Sequence, residues 1–140
     1  MTTPPFHLAY PVTDLNEARL FFTSMLDATV GRSAERWVDL NLFGHQISLH
    51  LVDGQDLNSA TNAVDGDQVP TLHFGCVLEW TAWEKQYDVL NQRRAEFIID
   101  KKVRFKGEVG EQGTYFIKGP CGIALEFKSF KDPSQLFAAN

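Results

Sequence analysis

Two stretches of this chain repeat one another, and the repeat limits the fold more than any other feature. Pro5-Phe-His-Leu-Ala-Tyr-Pro-Val12 and Pro70-Thr-Leu-His-Phe-Gly-Cys-Val-Leu-Glu79 each set a histidine between large apolar residues, as Phe6-His7-Leu8 and Leu72-His73-Phe74. Both read as strands, and both are followed by a helical pattern and then by further strand-like segments. Each half closes on a strand that holds a metal-ligating residue type between apolar neighbours, Leu49-His50-Leu51 and Leu125-Glu126-Phe127. The order strand, helix, three strands therefore occurs twice. Its period of roughly seventy residues is a duplicated module rather than a short solenoid repeat.

Alternate residues of a strand share a face. In the first strand His7, Ala9 and Pro11 lie on one side, opposite Phe6, Leu8 and Tyr10. His7 is thus expected to face away from the helix-packed core, and Pro11 marks an edge strand or an exit from the ladder. Asp14-Leu-Asn-Glu17 is a capping box. Leu15, Ala18, Phe22 and Met25 follow at helical spacing, widened by Phe21 and Leu26. Residues 30–34 and 36–42 read as strands and 43–45 as a turn. The strand over 46–52 carries Gln46, Ser48 and His50 on one face, which suits a polar cavity or solvent.

Residues 53–69 are rich in Asp, Asn, Gly and Ser and read as a linker. The second half opens with a strand over 71–78. Thr81-Ala-Trp-Glu84 then offers a capping box, with Trp83, Tyr87 and Leu90 at helical spacing. Residues 97–99 read as a short strand, 102–106 as another or the start of a loop, and 107–113 as a glycine-broken turn or lid. Strands over 114–118 and 123–130 flank a turn, and the tail packs through Leu136 and Phe137. The expectation is one α+β domain over 1–140: two tandem βαβββ modules (about 5–52 and 70–130) joined by the 53–69 linker. The modules would form a curved mixed sheet around a metal and substrate cleft.

The bulk numbers exclude several partners. A net charge of -5 lacks the basic face that a nucleic-acid backbone requires. No apolar run is long enough to span a bilayer, and no basic-then-apolar leader opens the sequence. Cys76 and Cys121 match no zinc-knuckle spacing and read as reduced thiols of a cytoplasmic protein.

His7, His73 and Glu126 together fit a facial triad. Two imidazoles and one carboxylate leave coordination positions open, which suits non-haem Fe(II), with Mn, Ni or Zn compatible. Each alone is an ordinary structural residue, and Glu126 has Lys128 on its own face as a salt-bridge partner. The in-register placement across the repeat is what links the three. His50 is a candidate fourth ligand through the matched Leu-His-Leu and Leu-Glu-Phe. Counting from the turn glycines weakens that match, since His50 is six after Gly44 and Glu126 four after Gly122. Gln46, on the same face, is the rival. Arg104, Lys106 and Gln112 are candidates for the substrate side of the glycine-rich loop, with Tyr115 and Glu111 as catalytic candidates.

Residues 6–15, the helix through Phe21-Phe22, His73, and Gly119-Pro-Cys-Gly-Ile-Ala-Leu-Glu-Phe127 resemble the vicinal oxygen chelate superfamily. That superfamily holds glyoxalase I, fosfomycin-resistance proteins, bleomycin-binding proteins and extradiol dioxygenases. The closing segment there usually reads Asp-Pro-Asp/Ser-Gly before the glutamate ligand, whereas Gly119 and Cys121 stand here. The resemblance implies His7, His73 and Glu126 as metal ligands and paired modules, often in homodimers. His50 lies on the strand that supplies glyoxalase I with a further carboxylate ligand, and a histidine there speaks against that activity. The function expected is a metal-dependent, dioxygenase-like enzyme acting on a small oxygenated molecule. Three alternatives stand beside it: a glyoxalase I-type isomerase or lyase, a metal-free antibiotic-binding protein, and a fosfomycin-type thiol transferase.

Overall fold

The computed structural model describes residues 3–54 and 60–139. The middle of the expected linker, residues 55–59, lies outside them. The chain divides into two compact units, one of Met1–Leu57 with Gly119–Gly122, the other of Asn58–Lys118 with Ile123–Asn140.

The first unit is built on strand β1 (His7–Val12), helix α1 (Leu15–Leu26) and strands β2 (Thr29–Ala34), β3 (Trp37–Leu42) and β4 (His45–Leu51). The capping box forms: the Asp14 carboxylate accepts from the Glu17 N–H at 3.0 Å and satisfies one of the helix's orphan donors. Sheet order is β1-β4-β3-β2, with β1 parallel to β4, so Pro11 does lie on an edge strand. Helix α1 packs on β3 and β4. Tyr10, Val12, Phe22, Val38, Leu40 and Leu49 are buried on that side. Each large apolar side chain so buried contributes about 1.5–3 kcal/mol over leaving it in water. Phe6, expected among them, is instead 66% exposed.

The second unit repeats the plan with strand β7 (Phe74–Val77), helix α2 (Trp80–Gln92), β8 (Glu96–Arg104), β9 (Gln112–Lys118) and β10 (Ala124–Ser129), in the order β7-β10-β9-β8. Strands β7 and β10 are parallel, as β1 and β4 are. The α+β class and the tandem βαβββ plan thus stand.

Several local expectations are corrected. The helix cap is Glu79, whose carboxylate accepts from the Ala82 N–H at 3.1 Å, two residues before the expected box. Residues expected as a short strand and then a second strand or loop are one strand, β8, whose pairing with β9 is irregular on either side of Ile99. Gly113 belongs to β9 rather than to a turn; a Cβ there would come within 2.5 Å of Trp83. Phe137 packs against nothing and is 91% exposed, at the end of a 3-10 turn over Pro133–Phe137. Cys76 and Cys121 are free thiols, as expected, and burial pushes Cys76 up to about 11.

The largest departure is in the linker. Residues Thr61–Val64 (β5) and Asp67–Pro70 (β6) form an antiparallel hairpin around Asp65-Gly66, both with positive φ. The hairpin lies on the sheet face opposite α2, where Val69 packs with Ile99 and Phe116. It is also pinned by charge. Asp67 accepts from Lys102 at 2.8 Å and pairs with the buried Arg104 at 3.0 Å, while Arg104 donates to the Val64 carbonyl at 2.7 Å. The hydrogen bond from Lys102, aided by the charges of Lys102 and Arg104, holds the Asp67 carboxyl below its ordinary value against the opposing effect of burial.

A lowered folded-state value means that this carboxylate stabilises the fold above its unfolded value near 4, and that the contribution fades as pH falls through the folded value. Asp67→Asn should cost about 1–3 kcal/mol at pH 7, because it leaves the Arg104 cation uncompensated. In thermal melts the gap between wild type and variant should be several degrees at pH 7 and should shrink towards pH 3.

Candidate metal centre

His73 sits one residue before β7, in the short bend after β6 ends at Pro70. The bend lets its ring turn back. Nδ1 lies 2.6 Å from the Pro70 carbonyl oxygen, which can only accept, so Nδ1 carries the proton. The ring edge packs on Phe116, with centroids 5.0 Å apart. Nε2 lies 3.3 Å from Glu126 Oε1. The other carboxylate oxygen, Oε2, accepts from the buried Thr114 hydroxyl at 2.6 Å. Lys128 Nζ stands 3.8 Å from Oε1.

Register explains why these groups meet. Parallel pairing sets Glu126 opposite Gly75, two residues after His73. A Cβ on Gly75 would fall 1.6 Å from the Glu126 carbonyl oxygen, so only glycine allows β7 to approach β10 this closely. Thr114 and Lys128 are themselves a cross-strand pair on the same face.

The hydrogen bond to Glu126 raises the basicity of His73, with burial opposing and the Pro70 carbonyl adding to it. Burial alone would raise the Glu126 carboxyl; hydrogen bonds from His73 and Thr114 and the Lys128 charge outweigh it, and the net shift is downward. Glu126 is therefore ionised at neutral pH. When His73 is neutral, Nε2 and Oε1 are two acceptors face to face, and only a proton or a cation reconciles them. Metal bonds of about 2.0–2.2 Å meeting at about 90–110° span roughly 2.8–3.6 Å, which includes the observed 3.3 Å. The Nδ1–H donated to a backbone carbonyl is the usual outer support of a ligating imidazole. The pair thus fits a divalent metal. Among the described residues of either unit, no three His, Cys, Asp or Glu side chains gather as a ready-made cluster.

In the first unit His7 is exposed on β1, directly opposite Gln46 of β4. The same parallel register assigns the counterpart of Glu126. The residue opposite Ala9, two after His7, is Ser48. Ser48 is buried and donates to Asp39 Oδ1 at 2.5 Å, and Gln46 makes a longer contact of 3.4 Å to Oδ2. His50 lies two residues further along, exposed, opposite Pro11 and Trp37. The Leu-His-Leu match is therefore out of register by two. The glycine count is in register, since Ser48 is four after Gly44 as Glu126 is four after Gly122.

The remaining candidates divide. Tyr115 is fully buried on the α2 side of β9, opposite to the face of Thr114. Its hydroxyl contacts the Trp83 carbonyl and Gln86, and burial raises its pKa far above the ordinary range. It is a core residue. Glu111 accepts from the Gly107 N–H and closes its loop, Lys106 is exposed, and Arg104 anchors the hairpin. Gln112 shares the face of Thr114, and its Oε1 is buried with no hydrogen-bond partner among the described residues. Thr114 and Lys128 are the neighbours that alternation from Glu126 identifies.

No protein-family model and no functionally curated protein matches the sequence. Solved structures do. A glyoxalase/bleomycin resistance protein/dioxygenase from Alicyclobacillus acidocaldarius is 30% identical over 96% of each chain, with a TM-score of 0.83. The chain belongs to that family. It is a vicinal oxygen chelate protein. Fosfomycin resistance protein FosX from Listeria monocytogenes shares the fold at 14% identity, over 97% of this chain and 100% of that one, with a TM-score of 0.67. A FosX variant complexed with Mn(II) and 1S,2S-dihydroxypropylphosphonic acid matches at 16% identity over 91% and 90%, with a TM-score of 0.64. In this vicinal oxygen chelate protein the best-formed candidate pair, His73 and Glu126, stands where the second module begins and ends.

Gly75→Ala should separate β7 from β10 and lower stability by about 3 kcal/mol or more, since the clash is with backbone that cannot rotate away. Chemical denaturation would read the loss, and backbone amide exchange should accelerate along β7 first.

Proposed function

We propose that this vicinal oxygen chelate protein is a metal-dependent enzyme that acts on a small molecule with two neighbouring oxygens. His73, Glu126 and His7 would hold the divalent ion, with Fe(II) favoured and Mn, Ni or Zn as alternatives. The observation that carries the reading is the facing of His73 Nε2 and Glu126 Oε1 at 3.3 Å, with the far ring nitrogen tied to a carbonyl. When bound, the ion supplies Lewis-acid activation of the substrate oxygens, or a site for O2 beside them.

The chain's own residues do the positioning. The Pro70 carbonyl fixes the His73 tautomer, Thr114 fixes the Glu126 carboxylate, and Phe116 holds the imidazole plane. Ser48 in the place of a fourth ligand, a carboxylate, supports a set of three protein ligands, the pattern of dioxygenase-like sites. It speaks against a glyoxalase I-type site of four protein ligands. Members of one fold differ in reaction, so the choice rests on the site and not on the likeness. A homodimer in the cytoplasm remains part of the proposal. Among the described residues no helix is long and apolar enough to cross a membrane.

Metal analysis after anaerobic loading with Fe(II) should give about one ion per chain, lost in His73→Ala and in Glu126→Ala with circular dichroism unchanged. O2 uptake with catechol-like substrates would then support the dioxygenase branch, and hemithioacetal isomerisation without O2 uptake the isomerase branch. A protein that takes up none of Fe, Mn, Ni or Zn is a binding module.

A further inference from the structure

The face of the second sheet that carries Glu126 also carries cations, and their partners differ. Lys102 and Arg104 share Asp67 at 2.8 and 3.0 Å. Lys118 pairs with Glu96 at 4.0 Å. Lys128 has only Glu126, at 3.8 Å and without a hydrogen bond among the described contacts. That oxygen, Oε1, is the one that also faces His73 Nε2. Lys128 is part-buried, its side chain 31% exposed, and it stands on β10 between Thr114 of β9 and Val77 of β7 in the strand register.

We propose that Lys128 is the anion-binding cation of this site, and that the substrate carries an acidic oxyanion group, carboxylate or phosphonate, next to its metal-binding oxygens. The inference rests on the metal reading above. A divalent ion at Oε1 and Nε2 takes up the charge that Lys128 now faces and sets a dication beside an ammonium. One carboxylate ligand cannot balance both, so the centre is left net positive within a chain whose net charge is -5. An ammonium set beside a dication needs an anionic acceptor close by. The substrate is the group free to supply it, which makes the acid a condition of tight binding rather than an incidental feature. A lysine suits this task, since its flexible stem lets the point charge move from Oε1 to the incoming anion.

Calorimetric titration of Mn(II)-loaded protein with glycolate and with inorganic phosphate tests this, comparing wild type, Lys128→Met and Lys128→Arg, with bound Mn(II) measured in each. The expected result is unchanged Mn(II) content, at least ten-fold weaker binding of one or both anions to Lys128→Met, and substantial rescue by Lys128→Arg. Equal anion affinity in all three, with Mn(II) retained, overturns the role of Lys128 and leaves the metal reading standing. Loss of Mn(II) in Lys128→Met alone overturns it as well, by showing that Lys128 merely props Glu126. Failure of the wild type to bind any of Mn(II), anaerobic Fe(II), Ni(II) or Zn(II) overturns both.

Discussion

Parallel pairing of the first and last strand of each module is the constraint from which the site follows. A parallel pair needs a long crossover, here a helix and two strands, so residues far apart in sequence are forced side by side. Register then decides chemistry. With Glu126 opposite Gly75, the carboxylate comes to lie at the ring of a histidine two residues upstream, and with Ser48 opposite Ala9 the first module has a hydroxyl at the same point. A slip of one residue would turn Glu126 into the α2-facing core, among Tyr115, Leu125 and Phe127. Gly75 guards against this by permitting an approach that no other residue allows.

What could be read from the sequence was whatever depends on local periodicity. The Asp14 cap, the α1 stripe of Ala18, Phe22 and Leu26, and the alternation of β1, β4 and β10 are properties of short windows. The hairpin escapes a reading by composition because β5 and β6 are four residues each, with polar and apolar residues mixed on both faces. Its mark was present in Asp65-Gly66, the pair that a tight two-residue hairpin turn requires. The bulged β8 reads as two segments because irregular pairing interrupts the alternation. Tyr115 was a candidate by its place in the sequence near a glycine-rich loop. Its parity along β9, opposite to Thr114, turns it into the core. Ser48 was reachable by counting from the turn glycines; the apolar neighbours of His50 were the more visible and the less reliable signal.

The two charged clusters of the second unit show how burial alone fails to separate structure from function. Around Asp67 every charge has a close opposite partner, and Arg104 also reaches a backbone carbonyl. Such a set is paired charge for charge, with Arg104 Nη2 alone lacking a hydrogen bond among the described atoms of the cluster, and its removal is expected to cost stability. Around Glu126 the accounting is open. One oxygen is satisfied by Thr114, while the other is shared by an imidazole at 3.3 Å and by an ammonium at 3.8 Å that makes no hydrogen bond to it. A buried network left partly satisfied is costly unless something completes it.

That contrast also gives the hairpin a part in the site. It holds Val69 against Phe116, and Phe116 holds the edge of the His73 ring. Pro70, the last residue of β6, supplies the carbonyl that fixes the ring's proton. The Asp67 ion pairs are therefore mechanically upstream of the His73–Glu126 pair: they tie down the strand whose end sets the His73 tautomer. A stretch that composition marks as a linker acts as the brace of this pair, and the charge placed there stabilises a conformation in which one imidazole nitrogen is tied to a carbonyl and the other faces Glu126.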